Sequence, residues 1–164
     1  MIACVQRCSR AAVRVAERTV GAIGPGLCVL VGVERGDDER RAEALAERLL
    51  SLRIFDDEGG KMNRSVADVR GELLVVSQFT LAADLARGRR PSFDAAAPPE
   101  EARRLVDHLA NRLRASGATV ATGEFGARMA VELVNDGPAT FVITLRSDVL
   151  RRSEPARDRR ERFP

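Results

Sequence analysis

The stretch that most restricts what this chain can fold into is Leu27–Val33, LCVLVGV, which follows the breaker Gly24-Pro25-Gly26. Its side chains are apolar at both odd and even positions, so it reads as a strand covered on both faces. Glu72–Phe79, ELLVVSQF, is a second strong strand, apolar until it reaches Ser77. Two helical patterns accompany them. Gly36 ends the first strand, and Asp37 or Asp38 can cap a helix running to about Leu52, with Ala42, Leu45, Ala46, Leu49 and Leu52 on one face. Pro98-Pro99 opens the second helix, whose stripe is Leu105, Val106, Leu109 and Leu113, and Gly117 ends it.

The remaining segments read as short strands. Met1–Ser9 and Ala11–Ala16 form two of them, followed by a turn at Glu17-Arg18 and a strand at Thr19–Ile23. Arg53-Ile54-Phe55, Thr119–Thr122, Arg128–Val134 and Ala139–Leu145 follow, the last two joined through Asn135-Asp136-Gly137-Pro138. Most connections are too short for parallel crossovers. The expected fold is therefore α+β, a mainly antiparallel, barrel-like sheet with two helices in a single domain. The domain is expected over residues 1–146, with 147–164 as a basic, flexible C-terminal tail that lacks the apolar residues to order itself.

Charge is unevenly placed. Residues 151–164 carry six arginines against Glu154, Asp158 and Glu161, so the whole formal charge of +3 lies there and residues 1–150 are neutral. Such a tail can add salt-sensitive phosphate affinity or remain a solvated appendage. The single histidine, His108, sits in the second helical pattern and reads as a surface residue. Its isolation leaves no imidazole beside a nucleophile elsewhere, and no zinc spacing. Cys4, Cys8 and Cys28 read as small buried thiols. No apolar run has the roughly 18 to 20 residues of a membrane span. The N-terminus lacks the layout of a secretory signal, which points to the cytoplasm. No metal and no cofactor is expected.

Two segments offer chemistry. In Ser77-Gln78-Phe79-Thr80-Leu81, an apolar strand ends in three hydrogen-bonding side chains around one ring, where main-chain N–H groups fall free. Such donors are what an acyl-transfer site needs for a developing oxyanion. The plainer reading is a polar strand end. Asn135-Asp136-Gly137-Pro138-Ala139-Thr140 is a turn by default. A Gly-Pro bond can also be cis, and a cis bend would present carbonyl oxygens as rigid acceptors.

Together the motifs Gln6–Cys8 (QRC), Ile23–Leu27 (IGPGL), Leu52–Asn63 (LRIFDDEGGKMN), Gly71–Leu81 (GELLVVSQFTL), Gly88–Phe93 (GRRPSF) and Asn135–Thr140 (NDGPAT) resemble the bacterial D-aminoacyl-tRNA deacylase family. The resemblance runs in order over residues 1 to about 145 and leaves the tail outside. Ala82 stands where the family often has an aromatic residue, and Ala139 at a usually aliphatic position.

The resemblance implies a homodimer with active sites at the subunit interface, acting on the 3′ end of aminoacyl-tRNA. Ser77, Gln78, Phe79 and Thr80 of one chain would floor the site. Gly137 and Pro138 of the other, cis at their bond and braced by Arg7, would screen chirality by rejecting an L side chain. D-aminoacyl-tRNA would be hydrolysed, and glycyl-tRNA mischarged on tRNA(Ala) would also be cleaved. Thr80 is either a nucleophile or a positioning group. Main-chain N–H groups near Phe79 and Thr80 with the ribose 2′-hydroxyl are the favoured alternative, because no side chain in the motif activates Thr80. Three other readings stand beside this one: a relative with a trans Gly-Pro that accepts L-alanine, a non-catalytic nucleic-acid binder using the tail and the Arg87–Arg90 loop, and a dimeric binding protein for D-amino acids.

Overall fold

The computed structural model describes residues 1–86 and 89–145. Its backbone is a long first strand, β1 (Ile2–Val15), around which the others assemble. β2 (Arg18–Ile23), β3 (Gly26–Gly32) and β8 (Met129–Thr144) all pair with it antiparallel. β6 (Glu72–Ser77) then joins β3 in parallel, and β7 (Val120–Thr122) joins β6 in parallel. The order is β2-β1-β3-β6-β7, with β8 on the other edge of β1. A separate small hairpin pairs β4 (Phe55–Asp56) with β5 (Met62–Arg64).

The sheet is thus mixed rather than mainly antiparallel. The reason lies in two connections. The chain between β3 and β6 contains α1 (Glu39–Ser51), and that between β6 and β7 contains α2 (Pro99–Ala115). Each is long enough for a crossover, so the helices sit where parallel pairing needs them. The sheet curls into a nearly closed barrel. At Gly21 on β2 an added Cβ would lie 2.4 Å from the Thr122 oxygen of β7, so closure there requires glycine.

Two strand expectations are corrected. Met1–Ser9 and Ala11–Ala16 are one continuous strand. Arg128–Val134 and Ala139–Leu145 are likewise one strand, β8, and Asn135–Pro138 is not a hairpin turn. Gln6 faces Thr140 while Cys8 faces Asn135, so two steps along β1 oppose five along β8. The surplus residues bulge out of the ladder. A turn would have reversed the chain, but both flanking halves already have β1 as partner, so the chain continues in the same direction.

Leu27–Val33 is buried nearly throughout, as its composition requires. On one face of the sheet, Val5, Leu27, Val29, Val31, Leu73 and Val75 pack against Leu45 and Leu49 of α1 and Leu105, Leu109 and Leu113 of α2. On the other, Cys8, Val13, Cys28, Leu74 and Val76 form a second cluster beneath Met129, Val131 and Leu133. Asp38 caps α1 by accepting from the Arg41 N–H at 3.0 Å. Asp37, the other candidate cap, is buried and accepts from the Met1 ammonium at 2.8 Å and the Glu34 N–H at 2.7 Å. Across the helix pair, His108 Nε2 lies 3.2 Å from Glu43 Oε1, so the histidine is half-buried and partnered. All three cysteines are free thiols. Residues 146–164, including the expected tail, lie outside the described residues. Among the described residues no helix is long and apolar enough to cross a membrane.

Candidate active site

β3 and β6 run parallel and end together, Val31 opposite Ser77. Clefts in sheets with parallel strands form beyond the carboxyl ends of those strands. Here a groove of about 500 Å³ lies there, walled by Val31, Val33, Ala97 and Val106 and floored by Ser77, Gln78 and Phe79. Its far wall comes from Phe125, Gly126, Met129 and Val131, between β7 and the start of β8.

The floor is shaped by how β6 stops. The Gln78 N–H still donates to the Val31 carbonyl at 2.7 Å, which is the last rung of the ladder. Phe79–Ala82 then turns into a 3-10 helix, and the Leu81 N–H closes it by donating to the Gln78 carbonyl at 3.2 Å. The N–H groups of Phe79 and Thr80 fall between these two bonds. They have no acceptor among the described residues, as expected for the first turn of a helical segment. Strand Glu72–Phe79 is therefore shorter than its apolar pattern suggests, and the last residues of that pattern form the corner.

Side chains at the corner are arranged around the ring of Phe79. It is 56% exposed and meets Phe93 edge-on, with centroids 4.9 Å apart. The loop carrying Phe93 is pinned back by reciprocal main-chain bonds between Asp84 and Ser92 at 2.8 and 3.0 Å. Ala82, the residue in place of a frequent aromatic, is buried beneath this turn. Of the loop arginines, Arg89 and Arg90 are exposed, while Arg87 lies outside the described residues. The Thr80 hydroxyl oxygen accepts from Gln78 Nε2 at 2.6 Å. A neutral amide that donates to a hydroxyl takes no proton from it, so this contact orients Thr80 without activating it.

The second segment sits elsewhere in the chain. The Gly137-Pro138 bond is cis, and Gly137 has φ of +126°, in the region that favours glycine. Arg7, only 6% exposed, lies beneath the bulge. Its Nε donates to the Asp136 carbonyl at 3.0 Å and its Nη1 to the Ile54 carbonyl at 2.7 Å. Asp56 and Asp136 carboxylates stand 3.4 and 3.6 Å from the guanidinium. An added Cβ on Gly137 would be 3.0 Å from Arg7 Nη2. The bulge also ties itself together: Asn135 Oδ1 accepts from the Ala139 N–H and Asn135 Nδ2 donates to Thr140 Oγ1, both at 2.8 Å. Gly137 and Pro138 do not line the groove of their own chain.

Sequence reasoning missed the far wall. Phe125 belongs to Gly123-Glu124-Phe125-Gly126, and Arg103 of α2 lies over its ring, 4.7 Å from the centroid. An aromatic between two glycines, in a chain with six Phe and no Tyr or Trp, was the available signal. The thiols stay away from the groove. Burial pushes Cys28 up to about 12, with Cys8 and Cys4 nearby adding to it, so it is inert at neutral pH. Among the described residues, no His, Cys, Asp or Glu cluster could hold a metal ion.

Set against known proteins, this chain falls in the deacylase class of ester hydrolases. A family model described as D-Tyr-tRNA(Tyr) deacylase matches residues 4–144, and the chain belongs to that family. A relative from Pelobacter propionicus, named D-aminoacyl-tRNA deacylase, is 59% identical over 143 residues, covering 87% of this chain and 99% of the relative. One of the same name from Geobacter sulfurreducens is 56% identical over 147 residues, 90% of this chain and 97% of the relative. Among solved structures, one titled c-Myc DNA Unwinding Element Binding Protein superposes with a TM-score of 0.85 at 39% identity, over 90% of this chain and 100% of that one. A second, titled as a probable eukaryotic D-amino acid tRNA deacylase, has a TM-score of 0.71 at 18% identity and shares the fold, over 87% of this chain and 98% of that one.

Proposed function

We propose that this protein hydrolyses the ester of D-aminoacyl-tRNA in the groove at the ends of β3 and β6. The carrying observation is the pair of unbonded N–H groups at Phe79 and Thr80 on the groove floor. They can receive the carbonyl oxygen of the ester as it becomes an oxyanion. Water attacks the acyl carbon, the carbonyl electron pair moves onto that oxygen, and collapse expels the ribose 3′ oxygen. The proton released by the water reaches the departing oxygen by way of the adjacent 2′-hydroxyl. Ser77, Gln78, Phe79 and Thr80 position the ester. Thr80 is a positioning residue in this scheme, consistent with the Gln78 amide being its hydroxyl's partner among the described residues. Thr80→Ala tests this: turnover close to wild type is expected, and complete loss with retained tRNA binding would restore the nucleophile.

The chiral screen is proposed to come from a second copy. Within one chain Gly137 and Pro138 stand apart from the groove, so a homodimer that brings one chain's bulge over the other's floor would complete the site. Arg7 would hold that bulge rigid from below. A backbone screen discriminates by collision with an L side chain, so it tolerates many D side chains and admits glycine, including glycyl-tRNA(Ala). The proposed setting is the cytoplasm, where charged tRNA is used. Residues 1–146 would be the catalytic domain.

Hydrolysis of matched D- and L-tyrosyl-tRNA by the purified protein tests the reading. Release of D-tyrosine with the L-ester intact is expected. Equal cleavage of both would remove the screen, and cleavage of neither would remove the deacylase. The second outcome would favour nucleic-acid binding without catalysis, a reading supported by the arginines of residues 151–164 and by the printed title of the 39% identical structure.

A further inference from the structure

We infer that Arg103, on the groove side of α2, is a phosphate-binding residue that holds the backbone of the nucleotide whose acyl ester lies on the floor. The inference rests on the deacylase reading and deepens it, because it assigns the far end of the groove to the RNA backbone.

The helix pattern places Arg103. Pro99, Ala102 and Val106 of α2 line the groove. Arg103 follows Pro99 by four residues and precedes Val106 by three, so it shares their face of the helix. Val106 is buried and Arg103 is exposed, which puts the guanidinium at the rim.

A ring in the far wall fixes that guanidinium. Arg103 Cζ lies 4.7 Å from the centroid of Phe125, and Nη2 donates to the Phe125 carbonyl over a long 3.4 Å. The platform is tied to the strand that carries the floor. The Gly123 N–H donates to the Val75 carbonyl of β6 at 3.0 Å, and the Ala127 N–H closes the turn on the Glu124 carbonyl at 3.2 Å.

What Arg103 does not have is an anion. Glu124, the acid beside Phe125, is ion-paired with Arg18 at 2.7 Å. Among the described residues Arg103 has no carboxylate partner, and its contacts are the ring and carbonyl of Phe125. A guanidinium that meets a ring through its face keeps N–H edges for an acceptor, and its planar fork matches a phosphate.

The substrate supplies the anion. The walls of the groove are Val, Ala, Met and Phe, and such a lining does not admit a phosphate. With the ester carbonyl on the Phe79 and Thr80 N–H groups, the nucleoside extends along the groove and its 5′-phosphate stays at the rim. Arg103 stands on the far wall, where that phosphate emerges. Arg89 and Arg90, also exposed, stand on the loop that packs against the floor through Phe93.

The test uses two substrates that differ by the phosphate alone, 2′(3′)-O-D-tyrosyl adenosine and its 5′-phosphate. Wild type, Arg103→Gln, Arg103→Lys and Arg128→Gln are compared. Arg128 is exposed beside the same wall and lacks the contact to Phe125, so it controls for net charge. Wild type is expected to favour the phosphorylated ester by about 5- to 10-fold in KM. Arg103→Gln should abolish that preference with kcat for the two esters in its wild-type ratio. Arg103→Lys should keep part of the preference and Arg128→Gln all of it. On D-tyrosyl-tRNA, losing one phosphate contact should lower the salt slope by about 0.7, which is about 2- to 3-fold in affinity between 50 and 200 mM salt. A preference that survives Arg103→Gln would overturn the proposal. So would an equal rise in KM for both esters, which would make Arg103 a brace for Phe125 alone. Loss of the preference in Arg128→Gln, or only in Arg89→Gln and Arg90→Gln, would overturn it as well. If wild type cleaves neither ester, the deacylase reading fails. Calorimetry with AMP and adenosine then still decides: tighter binding of AMP that needs Arg103 supports the phosphate site, and equal binding removes it.

Discussion

Replacing Arg7 is the most informative single perturbation, because its buried guanidinium serves two main-chain acceptors at once. Its Nε reaches the Asp136 carbonyl at 3.0 Å and its Nη1 the Ile54 carbonyl at 2.7 Å. Arg7→Met retains the apolar stem and deletes both donors. Each buried acceptor left without a partner costs about 1 to 3 kcal/mol, and the Asp136 bond is only partly buried, so the total is about 2 to 5 kcal/mol. The nearby carboxylates add little, since Asp56 and Asp136 side chains are 53% and 62% exposed and keep their water. For a chain of this size the loss corresponds to a fall in Tm of roughly 5 to 15 °C. Arg7→Lys supplies a point donor in place of a fork and can satisfy only one of the two carbonyls, so it should recover about half. Urea unfolding of the three proteins measures the ladder. A loss below about 1 kcal/mol for Arg7→Met, or full recovery by lysine, refutes the reasoning. The same variants assayed on D- and L-tyrosyl-tRNA separate two roles. Loosening of the bulge should raise L-ester cleavage relative to D. Unchanged discrimination at reduced stability would leave Arg7 a brace for Ile54 and Asp136 with no part in the screen.

Gly137→Ala should destabilise by about 1 to 3 kcal/mol, because a φ of +126° is hostile to a Cβ that would also sit 3.0 Å from Arg7 Nη2; unaltered urea unfolding would contradict the geometry. Cys28 should be invisible to a thiol reagent at pH 8 in the native protein and to react only on unfolding, whereas partly exposed Cys4 reacts first. Since its folded pKa is raised to about 12, the stability it contributes is present below the ordinary thiol range and declines as pH climbs toward 12, which alkaline unfolding curves would register. Asp57 behaves in the opposite sense. Hydrogen bonds from Asn63, then from the N–H groups of Lys61 and Gly59, hold its carboxyl below the usual range. Its contribution to the β4–β5 loop is present above that range and lost as pH falls through the depressed value, which amide chemical shifts of Gly59 and Lys61 should follow together.

The elements were legible in the sequence to the degree that their signals are local. Helix α1 announces its cap and its stripe, and the observed cap Asp38 and buried Ala42, Leu45, Ala46 and Leu49 match both. Pro99 at the start of α2 and Gly117 with φ of +87° after it are equally local. Strand pairing is not. The direction of β3 against β6 depends on α1 folding back across the sheet, and counting short connections overlooks the two long ones. The reading of Asn135–Pro138 as a turn failed for a similar reason. Turn chemistry in four residues is the same for a hairpin and for a bulge, and only the partner strand decides. β1 is long enough to pair with both flanking halves of β8, and that length was hidden by Ser9-Arg10, two exposed residues that look like a break. At the floor, the sequence already pointed to free N–H groups near Phe79 and Thr80, and the end of the ladder, where the Gln78 N–H meets the Val31 carbonyl, accounts for them. The wall at Phe125 is assembled from a loop remote in sequence, with no periodic signal to mark it.

The floor and the bulge belong to different strand pairs of the sheet. The floor needs the parallel pair β3 and β6, since only strands that finish side by side leave a cleft beyond their last shared rung. The bulge needs the antiparallel pair β1 and β8, where surplus residues can be expelled from one strand while the other holds register. A mixed sheet supplies both, on opposite sides of β1, but within one chain it keeps them apart: β8 borders β1 on the edge away from β3. Gly137 and Pro138 do not line the groove of their own chain, so the proposed screen would act in trans. A concentration series at fixed substrate decides the matter. D-specific activity should fall faster than enzyme concentration once dimers dissociate, and strict proportionality down to a monomeric solution would place the whole site in one chain.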